Sequence, residues 1–519
     1  MRSRRQTINL AAVVSANRPN EQSIRKRGIG AKMLGWKLPS LKPPTGNPAR
    51  PRARSQLGST TADPAARALI DELNRALPPA RVLLSPEDLL VHGYDGTWLD
   101  TTPAIVVQPE STAEVAATLR AASRLGVPVV PRGAGSGLAG GSVPGIGSLV
   151  LDLARMDRII EIDPVARVAT VEAGVVNARL QAEVERRGLF YPPDPASLRQ
   201  STLGGNVATG ASGPRCLKYG GTREYVLGLQ VVTSAGEIVR LGGRATPGTD
   251  ASLLHLLIGS EGTLAVITEV SLRLIARPPA RATVLASFTR LEDAGRAVGT
   301  VLDTGIVPVA LEMMDQTTLR CVEAHLLIGL PLDVEAILLI DVDGAADEVA
   351  EQAATVAHAC QESGARLVQR ATSAAESDRL WQARRSTSSS FGRLRPNKLG
   401  EDISVPRGAI PATVREIHEI AERHSLIIPL FGHIGDGNLH PNILCDLRDR
   451  AEMARVAQAA EEIFGVALRH GGTLSGEHGI GMLKREFLPR ALDPAAIVAM
   501  RSLKRSLDPT GILNPGKVF

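Results

Sequence analysis

Eleven residues, Pro131-Arg-Gly-Ala-Gly-Ser-Gly-Leu-Ala-Gly-Gly141, constrain this chain more than any others. Within them Gly135-Ser-Gly137-Leu-Ala-Gly140 matches G-x-G-x-x-G letter for letter. In the dinucleotide fingerprint that motif opens a helix whose N-terminus meets the pyrophosphate. Here it is followed by Ser142-Val-Pro-Gly-Ile-Gly-Ser148. Two glycines and a proline in that stretch cannot continue a helix. Val127–Val130 before the loop and Leu149–Leu153 after it both read as strands. The loop therefore joins strand to strand, which excludes the Rossmann arrangement. Glycines still suit an anion, because a backbone without Cβ can approach a phosphate and turn its N–H groups toward it. A ligand-free glycine turn is the plainer alternative.

The rest of the chain divides by composition. Residues 40–58 are rich in Pro, Arg and Ser and read as a linker. Asp63 then caps a helix over Ala65–Ala76 with Pro64 in its first turn. Ala104–Val107 reads as a strand, and Ser111-Thr-Ala-Glu114 as a capping box for a helix ending near Gly126. Further strands are expected at 148–153, 168–173, 229–233 and 264–274. Pro278-Pro279 marks a break. Beyond it, strand-like Ala282–Phe288 precedes a helix, Leu291–Thr300, and strand-like Ala336–Val342 precedes another near 346–362. That alternation, without a glycine loop, points to a separate α+β domain. Leu426–Phe431 reads as a strand and 450–505 as helical.

Charge is unevenly placed. Residues 1–56 hold thirteen Lys or Arg against one acid, Glu21, so +12 sits there and −7 on the remainder to give the formal +5. The basic character belongs to an N-terminal extension, which such composition leaves disordered. Arg2, Arg4 and Arg5 precede a short apolar run, Leu10–Val14, that barely reaches the length of a signal core; the Arg-rich stretch also suits an organellar transit peptide. No run of about 20 apolar residues exists, so no transmembrane helix is expected. Aromatics make up only 3% of the chain, too few for nucleic-acid stacking platforms. The four cysteines, Cys216, Cys321, Cys360 and Cys445, have no C-x-x-C spacing, which excludes an iron–sulfur cluster and reads as buried thiols in a reducing compartment.

Three further stretches accompany the loop in order. They are Tyr191-Pro-Pro-Asp-Pro-Ala-Ser197, Ser201-Thr-Leu-Gly-Gly-Asn-Val-Ala-Thr-Gly-Ala-Ser-Gly213 and Gly259-Ser-Glu-Gly-Thr-Leu-Ala-Val-Ile-Thr-Glu-Val270. In the second, Gly204, Gly205, Gly210 and Gly213 alternate with small residues, a surface on which a flat or extended ligand can lie on backbone. Together the four segments resemble the vanillyl-alcohol oxidase-type flavoproteins, whose PCMH-type domain encloses FAD. The resemblance implies FAD contacts from Pro131, Arg132, Gly133, Ala134, Gly135, Ser136, Gly137, Pro195, Ser197, Gly204, Gly205, Asn206, Ser212, Gly213, Glu261, Gly262, Ile267 and Asn514. Some members attach flavin through a His in the glycine loop; none stands here, so the FAD is expected to be non-covalent.

A second constellation lies in Gly432-His433-Ile-Gly-Asp-Gly-Asn-Leu-His440-Pro-Asn442. Asp436-Gly437 is a turn signal, so the two histidines flank a tight turn and can converge. Glu477 arrives in Ser475-Gly-Glu-His-Gly-Ile-Gly481. Two His and a Glu make a ligand set for a divalent metal with open positions. The C-terminal half resembles the FAD-linked oxidases that include D-lactate dehydrogenase, D-2-hydroxyglutarate dehydrogenase and the glycolate oxidase flavin subunit. The likeness spans roughly residues 60–519. It implies a metal (Zn, Fe or Mn) on His433, His440 and Glu477, His478 as proton acceptor, and Asn442, Lys398 and Arg384 near the substrate. Of Arg384 and Arg385, the first is favoured for the substrate carboxylate, to which an arginine fork is suited.

The expected fold is α+β: a basic extension over 1–58, a two-subdomain FAD-binding domain over 59–277 (its PCMH-type core about 99–277), and an α+β, ferredoxin-like substrate and metal domain over 278–519 with C-terminal helices. The expected activity is oxidation of a small D-2-hydroxy acid, D-lactate or glycolate before D-2-hydroxyglutarate, to the 2-oxo acid by hydride transfer to flavin. The alternatives are a same-fold enzyme for another alcohol or lactone, and a non-catalytic FAD subunit of a larger oxidase. Electrons then pass to a quinone, a cytochrome, an electron-transfer flavoprotein or an iron–sulfur subunit. No nucleic acid is expected as a partner, and a homodimer is compatible with the likeness. The expected place is cytoplasmic, with peripheral attachment to a membrane as a variant, or mitochondrial in a eukaryote.

Overall fold

The computed structural model describes residues 64–243 and 251–519. The basic extension, the apolar run at Leu10–Val14, the 40–58 linker and the Asp63 cap lie outside the described residues.

The first layer is a four-stranded sheet, β1 (Val82–Leu83), β2 (Ile105–Val107), β3 (Val129–Arg132) and β4 (Leu149–Asp152), in the order β1-β2-β4-β3. β4 runs parallel to both β2 and β3. Strands buried on both faces read as unbroken apolar runs, as Ile105–Val107 and Leu149–Leu151 do. Helices α1 (Pro64–Ala76) and α2 (Thr112–Leu125) share one core with this sheet. Ser111 caps α2 by accepting from Glu114 N. The expected capping box forms only by half, because the Glu114 carboxylate takes Glu110 N and the Arg81 guanidinium instead of Ser111 N. Gly126 adopts φ 67°, and Val127 N donates back to Ala122 O, so the strand begins at Val129 and not at Val127. Residues 133–148 contain no helix, and the glycine loop does join strand to strand. β3 is an edge strand, and the chain's last segment covers it: Val129 N donates to Ile512 O and Asn514 N to Val129 O.

The second layer is an antiparallel sheet of β5 (Ile159–Asp163), β6 (Val168–Glu172), β7 (Val226–Val232), β8 (Ile238–Gly242) and β9 (Val266–Arg273), ordered β5-β6-β9-β7-β8. Helix α3 (Leu203–Thr209) packs on β6 and β9. The small-residue stretch 201–213 thus includes a helix that the sequence reading did not anticipate. Thr202 Oγ1 caps the helix at Gly205 N, and Gly210 ends it at φ 64°. Gly204 is small for a packing reason, since a Cβ there would stand 2.5 Å from Ala173 Cβ.

The third layer is an eight-stranded sheet. Its main strands are β10 (Ala280–Phe288), β11 (Ala310–Asp315), β12 (Ala336–Gly344), β13 (Leu367–Arg370), β14 (Asn397–Gly400), β15 (Leu430–His433) and β16 (Asn438–Cys445). They run in the order β13-β10-β12-β11-β15-β16-β14, and Ile403–Ser404 also pairs with β16. Alternation divides the apolar side chains between two faces. Val284, Ala286, Leu338 and Ile340 meet α4 (Leu291–Asp303), α5 (Ala346–Glu362), α7 (Ile410–His424) and α8 (Arg450–Arg469); Leu285, Ile337 and Leu339 meet α6 (Ala374–Arg385). The predicted strand at Leu426–Phe431 starts later, at Leu430, after Pro429, which has no N–H for a ladder. The expected helical run 450–505 is also interrupted. After α8 the chain makes turns and short helical pieces through residue 493 before α9 (Pro494–Leu507), and those turns carry part of the site.

No described helix is long and apolar enough to cross a membrane. The four cysteines are free thiols, with Cys321, Cys360 and Cys445 buried. The contact at Gly204 is testable. Gly204→Val overpacks it, and the expected cost is about 1–3 kcal/mol, read as a lower urea midpoint; an unchanged midpoint would show that α3 stands off the sheet.

Candidate active site

The β15–β16 hairpin fixes two of the candidate ligands. His433 pairs with Asn438 across the ladder, and Phe431 with His440. His440 is two residues from Asn438, so it projects on the same face as His433. Their rings stand 5.1 Å apart and nearly perpendicular. Glu477 Oε1 lies 3.4 Å from Nε2 of each histidine. One donor atom from each of the three falls within 4.8 Å of the others, close enough to share one ion. His433 Nδ1 lies 2.6 Å from Glu312 Oε1, a fully buried carboxylate on β11. An ionised carboxylate only accepts, so Nδ1 carries the proton and Nε2 faces Glu477. Metal-binding histidines characteristically have such a carboxylate behind them. Glu312 Oε2 in turn accepts from Arg384 Nε at 2.7 Å.

The third face comes from the turn after α8. Asp402 Oδ2 accepts from Ser475 Oγ and from N–H of Gly476, Glu477 and His478. Just beyond, Glu261 accepts Ile480 N and Gly481 N, and Met482 N donates to Ala139 O on the glycine loop. His478 is thereby stacked on His440, rings 5.1 Å apart, with its Nε2 3.8 Å from Glu477 Oε1.

The charges sort by their surroundings. Burial works against ionisation of Glu312 and Glu477, yet the neighbouring cations win: both sit below the ordinary carboxylate value, Glu477 at about 2. Burial also works against a charge on His433, but the flanking Glu312 and Glu477 push it up to about 10. Burial brings His440 down to about 3 and lowers His478, leaving both neutral near pH 7. Two carboxylates thus demand a cation between them, which is a proton on His433 or a metal ion in its place. Lys398 Nζ bonds Ser388 Oγ and Asn442 Oδ1, and burial brings it down to about 8. Arg384 is buried with its guanidinium 4.5 Å over Phe431, and its terminal nitrogens have no hydrogen-bond partner among the described residues. Arg385 instead turns to the Asp378 carbonyl.

The segments expected to enclose a flavin also converge. A Cβ on Gly133 would lie 2.3 Å from Thr202 Oγ1, one on Gly262 3.2 Å from Pro131, and one on Gly213 2.4 Å from the Asp194 carbonyl. Glu261 N donates to Ala208 O, and Asn514 Nδ2 to Gly141 O and Glu261 O. Around this cradle Ser142 Oγ, Asn206 Nδ2 and Asn514 Oδ1 are buried with no partner among the described residues. Buried polar atoms are costly unless bonded, so they fit a polar ligand. Ala134, Gly135, Ser136 and Gly137 form the outer loop, while Gly205 within α3 and Ser212 just after it are half-buried. Pro195 and Ser197 shape a turn through their carbonyls, which accept Leu198 N and Gln200 N. Three of these side chains also serve the fold. Arg132 folds beneath its own loop and donates to Tyr94 O. The Glu261 carboxylate is spent on the His478 turn. Ile267 packs in the second-sheet core.

With this geometry described, similarity to known proteins becomes informative. The family described as FAD linked oxidases, C-terminal domain, matches residues 277–518, and an FAD binding domain matches 103–242. The glycolate oxidase subunit GlcD of Bacillus subtilis is 42% identical over 83% of this chain and 92% of its own length. The chain belongs to the FAD-linked oxidases. A D-2-hydroxyglutarate dehydrogenase of Stutzerimonas stutzeri is 35% identical over 87% of this chain and 99% of its own. Among solved structures, substrate-bound p-cresol methylhydroxylase superposes with TM-score 0.73 over 88% of this chain and 96% of that one, at 14% identity, a likeness of fold. The fold of this FAD-linked oxidase is thus the vanillyl-alcohol oxidase type.

Sequence reasoning missed Glu312, Asp402 and the second role of Glu261. Glu312 had a signal, an acid inside the apolar strand Ala310–Asp315. Glu312 yields a sharp stability test. Glu312→Ala leaves the Arg384 guanidinium buried without its carboxylate, an expected loss of about 3–5 kcal/mol. Glu461→Ala, at the exposed pair with Arg490, should cost under about 1 kcal/mol. Equal thermal shifts for the two would contradict the buried pairing.

Proposed function

We propose that this FAD-linked oxidase is a dehydrogenase converting a D-2-hydroxy acid, D-lactate or glycolate before others, to the 2-oxo acid. One observation carries it: His433, His440 and Glu477 gather donor atoms within 4.8 Å beside His478, in a chain 42% identical to a glycolate oxidase subunit. When bound, FAD supplies the two-electron acceptor and a divalent cation (Zn, Fe or Mn) supplies a Lewis acid. His433, His440 and Glu477 would hold the cation. The FAD is non-covalent, since residues 131–141 include no His.

The chain's own groups do the rest. Arg384, with its terminal nitrogens unpartnered, and Lys398, beside Asn442, hold the substrate carboxylate. Arg384 offers a planar fork for that purpose, which Lys398 does not. Asn442 is fixed by its bonds to Lys398 and to the His440 carbonyl, and so orients whatever Lys398 binds. His478 Nε2 takes the proton of the 2-hydroxyl. Burial keeps that ring neutral near pH 7, the state a general base requires. The C2 hydrogen leaves with two electrons, which bound FAD would accept, so the alcohol carbon becomes a carbonyl, an aldehyde from glycolate and a ketone from D-lactate. We place the next acceptor outside the chain, as a quinone, a cytochrome, an electron-transfer flavoprotein or an iron–sulfur subunit. The free thiols fit a cytoplasmic setting.

The test is anaerobic. D-lactate, glycolate, D-2-hydroxyglutarate and L-lactate are added in turn to the purified flavoprotein while its visible flavin band is followed. D-lactate or glycolate should bleach the band and L-lactate should not. A band that none of the four bleaches would refute the proposal in favour of another alcohol, a lactone or a non-catalytic subunit.

A further inference from the structure

Asp402 is a fully buried carboxylate whose two oxygens have different surroundings. Oδ2 takes four donors at 2.7–3.0 Å, all from Ser475–His478. Oδ1 is buried and has no hydrogen-bond partner among the described residues. It lies 3.7 Å from His440 Nδ1, which is also buried and unpartnered, as is His478 Nδ1. Asp402, His440 and His478 each bring one atom to within 4.8 Å of the others.

The strand register explains the placement. Gly400 pairs with Asn442 and Ile403 with Leu439, so Asp402 stands directly opposite His440 on the neighbouring strand. Directly opposed residues share a face. Lys484, buried, donates from Nζ to Asp402 O and lies 3.6 Å from Oδ2. The carboxylate is thus fixed by backbone pairing on one side and by four donors and a cation on the other. Neither oxygen can turn without breaking those bonds.

We propose that Asp402 is the positioning residue of this site. Oδ2 sets the turn that presents Glu477 and His478, and Oδ1 orients the His440 ring so that Nε2 faces Glu477. This assignment rests on the reading of His433, His440 and Glu477 as a cation site and His478 as the base. It adds a residue that touches neither substrate nor cofactor. A carboxylate behind a metal-binding histidine is worth about 10–100-fold in metal affinity. A base held by a third group follows the same logic as an activated nucleophile and its orienting partner.

The experiment compares wild type, Asp402→Asn and Asp446→Asn, a half-buried aspartate paired with exposed Arg448. Three properties are read on the FAD-loaded full chain: flavin content, Mn(II) affinity by calorimetry, and the rate of anaerobic flavin reduction at saturating hydroxy acid. Asp402→Asn should keep its flavin, bind Mn(II) about 10–100-fold more weakly, and reduce at least about 100-fold more slowly. Asp446→Asn should match wild type in all three. Wild-type Mn(II) binding and reduction in Asp402→Asn would overturn the assignment alone. Loss of flavin together with both other properties would make Asp402 a folding residue and overturn it too. A wild type that neither binds Mn(II) nor is reduced by any hydroxy acid would instead remove the underlying site, and the assignment with it.

Discussion

One short turn, Ser475–Leu483, is held between two buried carboxylates, and the arrangement of the site depends on that hold. Asp402 takes the N–H groups of Gly476, Glu477 and His478, and Glu261 takes those of Ile480 and Gly481. Asp402 belongs to the third sheet's β14–β16 edge, and Glu261 to the segment leading into the second sheet. The turn therefore ties the third sheet to the second. Met482 N on Ala139 O completes the tie at the glycine loop itself. Backbone N–H groups in a turn have no ladder to join, and charged acceptors give roughly twice the strength of neutral ones.

The same economy governs the charges. Arg384, Glu312, His433 and Glu477 form a chain of alternating sign through the protein interior. Arg384, Glu312 and His433 are buried and Glu477 is partly so, and a lone buried charge is costly. Together they are mutually compensated, with a proton on His433 that a divalent ion can replace. His440 and His478, adjacent to the chain, stay neutral because burial outweighs the attraction of Asp402 and Glu477. Two roles thus arise from one cluster: a cationic position between carboxylates, and a neutral imidazole beside it.

How much of this was legible in the sequence followed the range of the interactions. The glycine loop was readable because Val-Pro-Gly-Ile-Gly cannot be helical wherever it lies in a fold. The histidine pair was readable because a tight turn forces His433 and His440 together. Helix α3 was not, because Gly204 and Gly205 lower helix propensity and close packing on Ala173 overrides it. Strand starts slipped by two residues at Val129, where Val127 closes the preceding helix, and by four at Leu430, after Pro429. Asp402 and Glu261 were invisible as positioning groups. Their partners lie 73–76 and 219–220 residues away, and nothing local announces such pairings.

The account's central claim is that His478 moves the substrate's hydroxyl proton while the surrounding residues hold substrate and cofactors. Rapid anaerobic mixing of the FAD-loaded His478→Ala variant with the hydroxy acid that reduces wild type tests it most directly. The account predicts full flavin content with flavin reduction slowed by about 10²–10⁴-fold, the usual contribution of a positioned general base. Reduction at the wild-type rate in a variant with its full flavin content would contradict it.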